Sequence, residues 1–306
     1  MNISIHPSYL PEGLGTPSLG REALLAAAGS GAIFHAAAVK WEDERRLLVD
    51  VGDGLGVIPW AECILGADSG TVRDIAVISR VGKAVCFTVV GEGEDGRPIL
   101  SRRAAQHRAW SEYLVGLTPG DIIPARVTRL EGFGAFVDVG CGVISFIGIE
   151  NISVSRIPHP GARFEVGQSI PTAVLAIDRA ARRITLTHRE LLGTWLQNAQ
   201  GLGPGDVLPG VIRGVEPYGL FIELTPNLSG LAEPRAGFVV GDRVSVLIKS
   251  LSPRSMKVKL AILEGLEPAA PRLIKRHDYY IESGHLKHWQ YSPPESERHI
   301  ARNFGG

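Results

Sequence analysis

Apolar residues in this chain fall in short runs broken by turn residues, with few stretches that repeat at helical spacing. Between residues 33 and 103 the runs are 36–39, 47–51, 56–58, 75–79, 84–90 and 98–100, with Glu94-Asp95-Gly96 placed as a hairpin turn. Runs of that length bounded by Gly, Pro and Asp predict strands. Five or six strands in about 70 residues predict a small barrel. Two segments depart from this rhythm. Residues 21–28, stopped by Gly29, and residues 102–114 have helix-forming composition, the second as a link to the next barrel.

The run pattern then repeats. Residues 120–139 recur without a gap as residues 205–224, with twenty positions matched at an offset of 85 and six identical. Most of the other matches exchange one apolar or aromatic residue for another, which predicts two copies of one β module. Further strands are expected at 143–147, 169–177 and 183–187. After a loop holding Ser153, Ser155, Pro158, His159, Pro160 and Gly161, the copies realign at an offset of 74, so Phe164 and Gly167 fall on Phe238 and Gly241. The second copy is thus the same barrel with a loop eleven residues shorter. A weaker match sets Val49-Asp50-Val51 on Val137-Asp138-Val139, Val39 on Val127, and Arg45 and Leu48 on Phe133 and Phe136. The expected order is an arm and helix (1–30), a divergent barrel (31–103), a helical linker (104–117), a second barrel (118–192), a linker (193–202), a third barrel (203–264) and a tail (265–306). In the tail, residues 272–291 read as a strand or hairpin rich in basic and aromatic residues, and the last 15 or so as a frayed end.

Composition supports an all-β array: 306 residues carry 37 Gly and 20 Pro, with 44% hydrophobic and 21% charged residues. The formal net charge of zero speaks against an extended polyanion binder. Residues 203–263 nonetheless hold seven Lys and Arg against five Asp and Glu. Cys63, Cys86 and Cys141 stand at no metal spacing and read as small thiols of a reducing compartment. His285 and His288 lack a third ligand at a convincing distance. No cofactor or metal is expected. The apolar stretch 23–39 is broken by Gly29, Ser30, Gly31 and His35, which argues against a signal peptide or membrane span and for a cytoplasmic protein.

The candidate chemistry lies in an aromatic-Gly-x-Phe pattern, Phe133-Gly134-Ala135-Phe136 and Tyr218-Gly219-Leu220-Phe221. Residues three apart on a regular strand point to opposite faces, so a bulge at the glycine is expected to bring both rings outward. Two exposed rings form a platform on which bases stack whatever the sequence. The competing reading is that one or both rings fill a barrel core. Arg179, Arg182, Arg183 and Arg189 cluster at the end of the second barrel, as phosphate contacts or as charges on a solvated strand edge. Lys257 and Lys259 are open to the same two readings.

On these motifs the chain resembles the bacterial small-subunit ribosomal protein S1 family, whose domains are five-stranded barrels of the oligonucleotide-binding (OB-fold) class. The matching features are the opening Gly-Asp, the aromatic-Gly-x-Phe-Val run and a late Asp followed by a basic residue before an Ile-x-Leu-Ser/Thr strand. The resemblance covers residues 120–187 and 205–260 well and 33–103 in outline. It implies tandem five-stranded barrels joined by short helices. It also implies an RNA-facing surface of Phe133, Phe136, Asp178 and Arg183 in the second barrel and Tyr218, Phe221 and Lys257 in the third. The family's histidine after the third strand falls on Pro59, Ile147 and Glu233, and Ser252 replaces the late Asp. The overall layout is similar to that of the short clostridial-type homologues.

The resemblance makes this a non-catalytic protein of translation that binds single-stranded RNA, messenger RNA included, at the small ribosomal subunit. Neither a membrane nor a small-molecule substrate is expected. The alternative is a docking module whose barrels contact a ribosomal or other protein with little RNA contact. In the tail, Tyr279, Tyr280, Trp289 and Tyr291 with Lys275, Arg276 and Lys287 either grip ribosomal RNA or protein, or cap the third barrel's core. An exonuclease-type enzyme is set aside because no stretch is left for a catalytic domain with clustered metal-binding carboxylates.

Overall fold

The computed structural model describes residues 9–15, 17, 20–67, 72–268 and 278–305. Its strands close into three five-stranded barrels. The first comprises β1 (Phe34–Glu42), β2 (Arg46–Asp50), β3 (Leu55–Pro59), β4 (Ala84–Glu92) and β5 (Pro98–Ser101). The second comprises β6 (Ile122–Glu131), β7 (Gly134–Asp138), β8 (Ile144–Gly148), β9 (Ser169–Asp178) and β10 (Arg183–Thr187). The third comprises β11 (Val207–Glu216), β12 (Gly219–Thr225), β13 (Leu228–Ala232), β14 (Arg243–Ser252) and β15 (Lys257–Leu266). In each, the third strand closes against the fifth in parallel, through Val57↔Ile99, Thr185↔Phe146 and Leu231↔Lys259.

Inward residues build each core. Leu47 and Val49, Ala135 and Val137, and Leu220 and Ile222 occupy the same alternating positions of the second strand and are buried. Each opening strand carries a bulge at one equivalent place, between Ala38 and Lys40, Val127 and Arg129, and Ile212 and Gly214. A bulge there bends the strand so that its two halves can pair with different neighbours. The pairing shifts one residue of the first barrel's alignment. Ala38, opposite Val49, matches Val127, and Val39 matches the bulged Thr128, because the first hairpin's turn is one residue longer.

Run 75–79 falls on α2 (Asp74–Ile78) and its C-cap Ser79 rather than in a strand. So short an apolar run carries no period that separates helix from strand. Only Val77 within it is buried. The other helices are α1 (Arg21–Ala26), α3 (Arg102–Arg108) and α4 (Trp195–Ala199). Ser101 caps α3 by accepting from Ala104 N at 2.8 Å, and Thr194 with Gln197 forms a capping box on α4.

Residues 288–304 are not frayed. β16 (His288–Gln290) pairs with β17 (Ala301–Asn303), and Trp289, Tyr291 and Phe304 join the third barrel's core cluster. Tyr291 Oη donates to Asn227 O at 2.6 Å, and Arg302 pairs with Glu190 at 2.6 Å. Burying three aromatic side chains outweighs the entropy of ordering a terminus.

Candidate nucleic-acid interface

In the second barrel, alternation along β7 sends Ala135 and Val137 inward and Phe136 outward. Phe133 sits in the β6–β7 turn and is 61% exposed. No bulge at Gly134 is involved: β7 pairs with β8 in unbroken register, and the unpaired residue is Thr128 across on β6. Gly134 is needed for another reason, since a Cβ there would collide with Ile147 O and the Phe146 ring. That close approach exposes a third aromatic which the sequence reading missed. Phe146 stands opposite Phe136, 5.2 Å away between ring centroids and 5.7 Å from Phe133. Ile147 points into the core; because Phe146 matches Leu231 in the pairing, the place set against the family's histidine is Gly148, which matches Glu233, and not Ile147. Counting alternation outward from Ile147 would have found Phe146.

Charged groups surround the three rings. The Arg129 guanidinium lies over Phe136 at 4.4 Å and pairs with Glu131 at 3.3 Å. Arg183 is exposed two residues before Thr185, Phe146's neighbour, so it shares their face. Asp178 stands across from Arg183, and its Oδ1 accepts from Ala181 N at 2.8 Å, closing the β9–β10 turn. Arg182 is exposed in that turn. Arg179 instead donates to the carbonyls of Val115 and Leu117, and Arg189 donates to Glu150 O and pairs with Glu190.

The third barrel repeats the ring geometry. Tyr218 and Phe221 lie 6.2 Å apart at 90°, against 6.2 Å and 89° for Phe133 and Phe136. Tyr218 is 64% exposed. Around the pair the chemistry changes: Leu231 stands opposite Phe221 where Phe146 stood, and Gly214 replaces Arg129. Lys259 adjoins Leu231, Lys257 stands across from Ser252, and both lysines are exposed. Glu233 is engaged by Lys249 at 2.8 Å.

The first barrel's equivalent face is sealed. Leu48 and Val57 hold the places of Phe136 and Phe146 and are only 2% and 3% exposed. Arg45, in Phe133's place, lies over the Trp60 ring at 3.9 Å and pairs with Asp74 at the start of α2.

The junctions between barrels use the lower part of the same faces. Two residues beyond Phe136, Asp138 Oδ2 accepts from Glu12 N at 2.7 Å, and Glu12 pairs with Arg102 of α3 at 2.6 Å. Burial and the neighbouring Glu12 push the Asp138 carboxyl up to about 7. Burial also acts to raise Glu12, but the Arg102 charge and hydrogen bond outweigh it and hold its carboxyl low. Two residues beyond Phe221, the equivalent Glu223 is buried between Arg163 of the second barrel and Arg213, the latter at 2.7 Å. Beside this junction, His188 donates from Nδ1 to Ile152 O and accepts from Tyr279 Oη, both at 2.9 Å, and burial depresses it to about 4.

In the tail, Trp289 and Tyr291 are buried against the third barrel and Tyr279 packs beside them; Tyr280 is exposed, its Oη donating to Gln197 O. His285 pairs with Asp121 at 2.7 Å and His288 with Asn303, so the two histidines do not converge. Lys287 is exposed. Lys275 and Arg276 lie outside the described residues.

The family model of the S1 RNA binding domain matches residues 117–189, the second barrel. A small ribosomal subunit protein bS1 homolog of Bacillus subtilis (strain 168) is 32% identical over 200 residues, covering 60% of this chain and 52% of that protein. The small ribosomal subunit protein bS1 of Staphylococcus aureus (strain COL) is 29% identical over 233 residues, 71% of this chain and 58% of that protein. That of Leuconostoc lactis is 30% identical over 198 residues, 60% and 46% of the two chains. The chain thus spans about half the length of the curated relatives it matches. No helix among the described residues is long and apolar enough to cross a membrane. With its five-stranded barrel and outward ring cluster, the segment 117–189 matches the S1 RNA-binding domain, and the chain is similar to bacterial bS1 proteins over 60–71% of its length.

Proposed function

We propose that this protein is a non-catalytic, cytoplasmic component of translation that holds single-stranded RNA, messenger RNA in particular, at the small ribosomal subunit. The observation that carries the reading is the open cluster of Phe133, Phe136 and Phe146 on the outer face of a barrel that matches the S1 domain. Leaving three large rings against water is unfavourable, and the gain comes when bases cover them. Stacking contributes roughly 1–3 kcal/mol per base and is indifferent to sequence. Arg183, in register with Asp178, adds a phosphate contact at the edge of the platform.

The third barrel supplies a second site through Tyr218, Phe221 and Lys257. The second site sees a raised effective RNA concentration once the first is filled, so modest affinity at each suffices. The first barrel, its face sealed by Leu48 and Val57, acts as the module that docks and positions the other two. Fluorescence anisotropy tests the reading with a labelled pyrimidine-rich strand, free and annealed to its complement, at two salt concentrations. Micromolar or tighter binding to the single strand, weakening with salt and much poorer for the duplex, is the expected result. Equal affinity for both forms contradicts stacking, because paired bases present no free faces.

A further inference from the structure

The inserted loop of the second barrel, residues 153–163, lies on the third barrel's RNA-facing side. Along β12, Leu220, Ile222 and Leu224 are buried, so Phe221 and Glu223 share the outer face; Leu231 and Ser229 stand opposite them on β13. The loop is bonded to the lower half of that face. Ser155 Oγ meets Ser229 Oγ at 2.8 Å, Ser155 N donates to Pro226 O at 3.0 Å, and Val154 N donates to Asn227 Oδ1 at 2.9 Å. Arg163 is fully buried against Glu223. Ser229 and Leu231 are two residues apart, about 7 Å along the strand, so the loop ends where the Phe221 platform begins.

Arg156 follows Ser155 and is exposed. Among the described residues it has no ion pair, hydrogen bond or ring contact. The loop's other arginine, Arg163, is spent in the junction. The third barrel meanwhile lacks the guanidinium that the second barrel holds over its platform, because Gly214 stands in the place of Arg129.

We propose that the third barrel's RNA face is composite: the second barrel completes it in cis, and Arg156 contacts the backbone phosphate of the strand whose bases stack on Tyr218 and Phe221. The proposal rests on the RNA-binding reading above and adds to it a path, since RNA leaving the third barrel's rings meets a segment of the second barrel rather than solvent. It also gives the extra eleven residues of this loop a second use beside the junction they build.

The test is anisotropy with a labelled oligouridylate of about ten nucleotides, within the span one or two such barrels cover. Arg156→Ala is placed in two versions of the full chain: one with the second barrel's rings removed (Phe133→Ala with Phe136→Ala), the other with the third barrel's removed (Tyr218→Ala with Phe221→Ala). In the first, Arg156→Ala is expected to weaken binding about three- to tenfold and to lower the salt slope by about 0.7, one phosphate contact on a single strand. Arg156→Lys in the same background retains the slope. In the second, Arg156→Ala leaves affinity unchanged. No effect in the first background, or an equal loss in both, overturns the composite face while leaving RNA binding intact. Failure of the unaltered chain to bind the oligouridylate overturns the RNA reading itself and the proposal with it.

Discussion

The second and third barrels have one framework and two surfaces. Their opening strands bulge at the same place and their ring pairs superpose in distance and angle. A carboxylate two residues beyond the second ring anchors a junction in both, Asp138 in one and Glu223 in the other. Outward positions diverge. The second barrel surrounds its pair with Phe146 and Arg129, and the third with Leu231, Gly214, Lys257 and Lys259. The second face thus carries three rings with a guanidinium over one of them, and the third two rings with two lysines beside them. The first barrel, with Leu48 and Val57 covered, marks the limit at which the framework persists and the face is gone. Inward positions specify the barrel, and outward ones are free to specify what it touches.

The largest effect is expected where the two barrels meet. Glu223→Ala leaves Arg163 and Arg213 buried without their carboxylate, and removing one partner of a buried pair costs about 3–5 kcal/mol. Denaturant unfolding should show that loss, with the third barrel melting apart from the second.

Acid acts on the same junction. His188 is buried neutral and depressed to about 4, against about 6.5 for a free histidine. As pH falls from 6.5 to 4, the unfolded chain gains a proton that the folded chain refuses. The His188 contribution is thus complete above 6.5 and falls by roughly 3 kcal/mol on reaching pH 4. Asp138, raised to about 7, contributes the opposite slope, so the test is a difference: across a pH series of melting temperatures the wild-type chain should lose stability relative to His188→Gln as pH falls from 6.5 to 4.

Next come the faces. Phe133→Ala with Phe136→Ala should weaken single-strand binding by roughly 2–3 kcal/mol, 30-fold or more, without altering the fold because both side chains lie on the outer surface. Tyr218→Ala with Phe221→Ala should cost less, about 1–2 kcal/mol, because the third face holds two rings where the second holds three. The smallest effect sharpens the comparison. Leu231→Phe restores the third ring and should tighten binding by about 1 kcal/mol, roughly fivefold in an anisotropy titration, whereas Leu48→Ala should leave RNA affinity unchanged.

The barrels and the ring pairs were legible in sequence because a repeat displays its inward alternation twice. Phe146 was hidden by that same logic: its counterpart is Leu231, so the copies gave no shared signal there. Run 75–79 was misread because it is too short to show a period. The junctions were not legible at all. Glu12 with Arg102 and Arg163 with Glu223 are 90 and 60 residues apart, and nothing local marks a side chain that will be buried against another barrel. The tail's packing belongs to the same class, since Trp289 and Tyr291 read equally well as surface grips until the hairpin placed them in a core.

The most direct test of the account is anisotropy of a labelled pyrimidine-rich single strand, titrated at two salt concentrations with the intact chain and with Phe133→Ala plus Tyr218→Ala. One ring is removed from each open face and the barrels are left intact. The account predicts salt-sensitive binding that drops tenfold or more in the double variant. Equal affinity of the two proteins would contradict it and would return these barrels to the role of a protein-docking array.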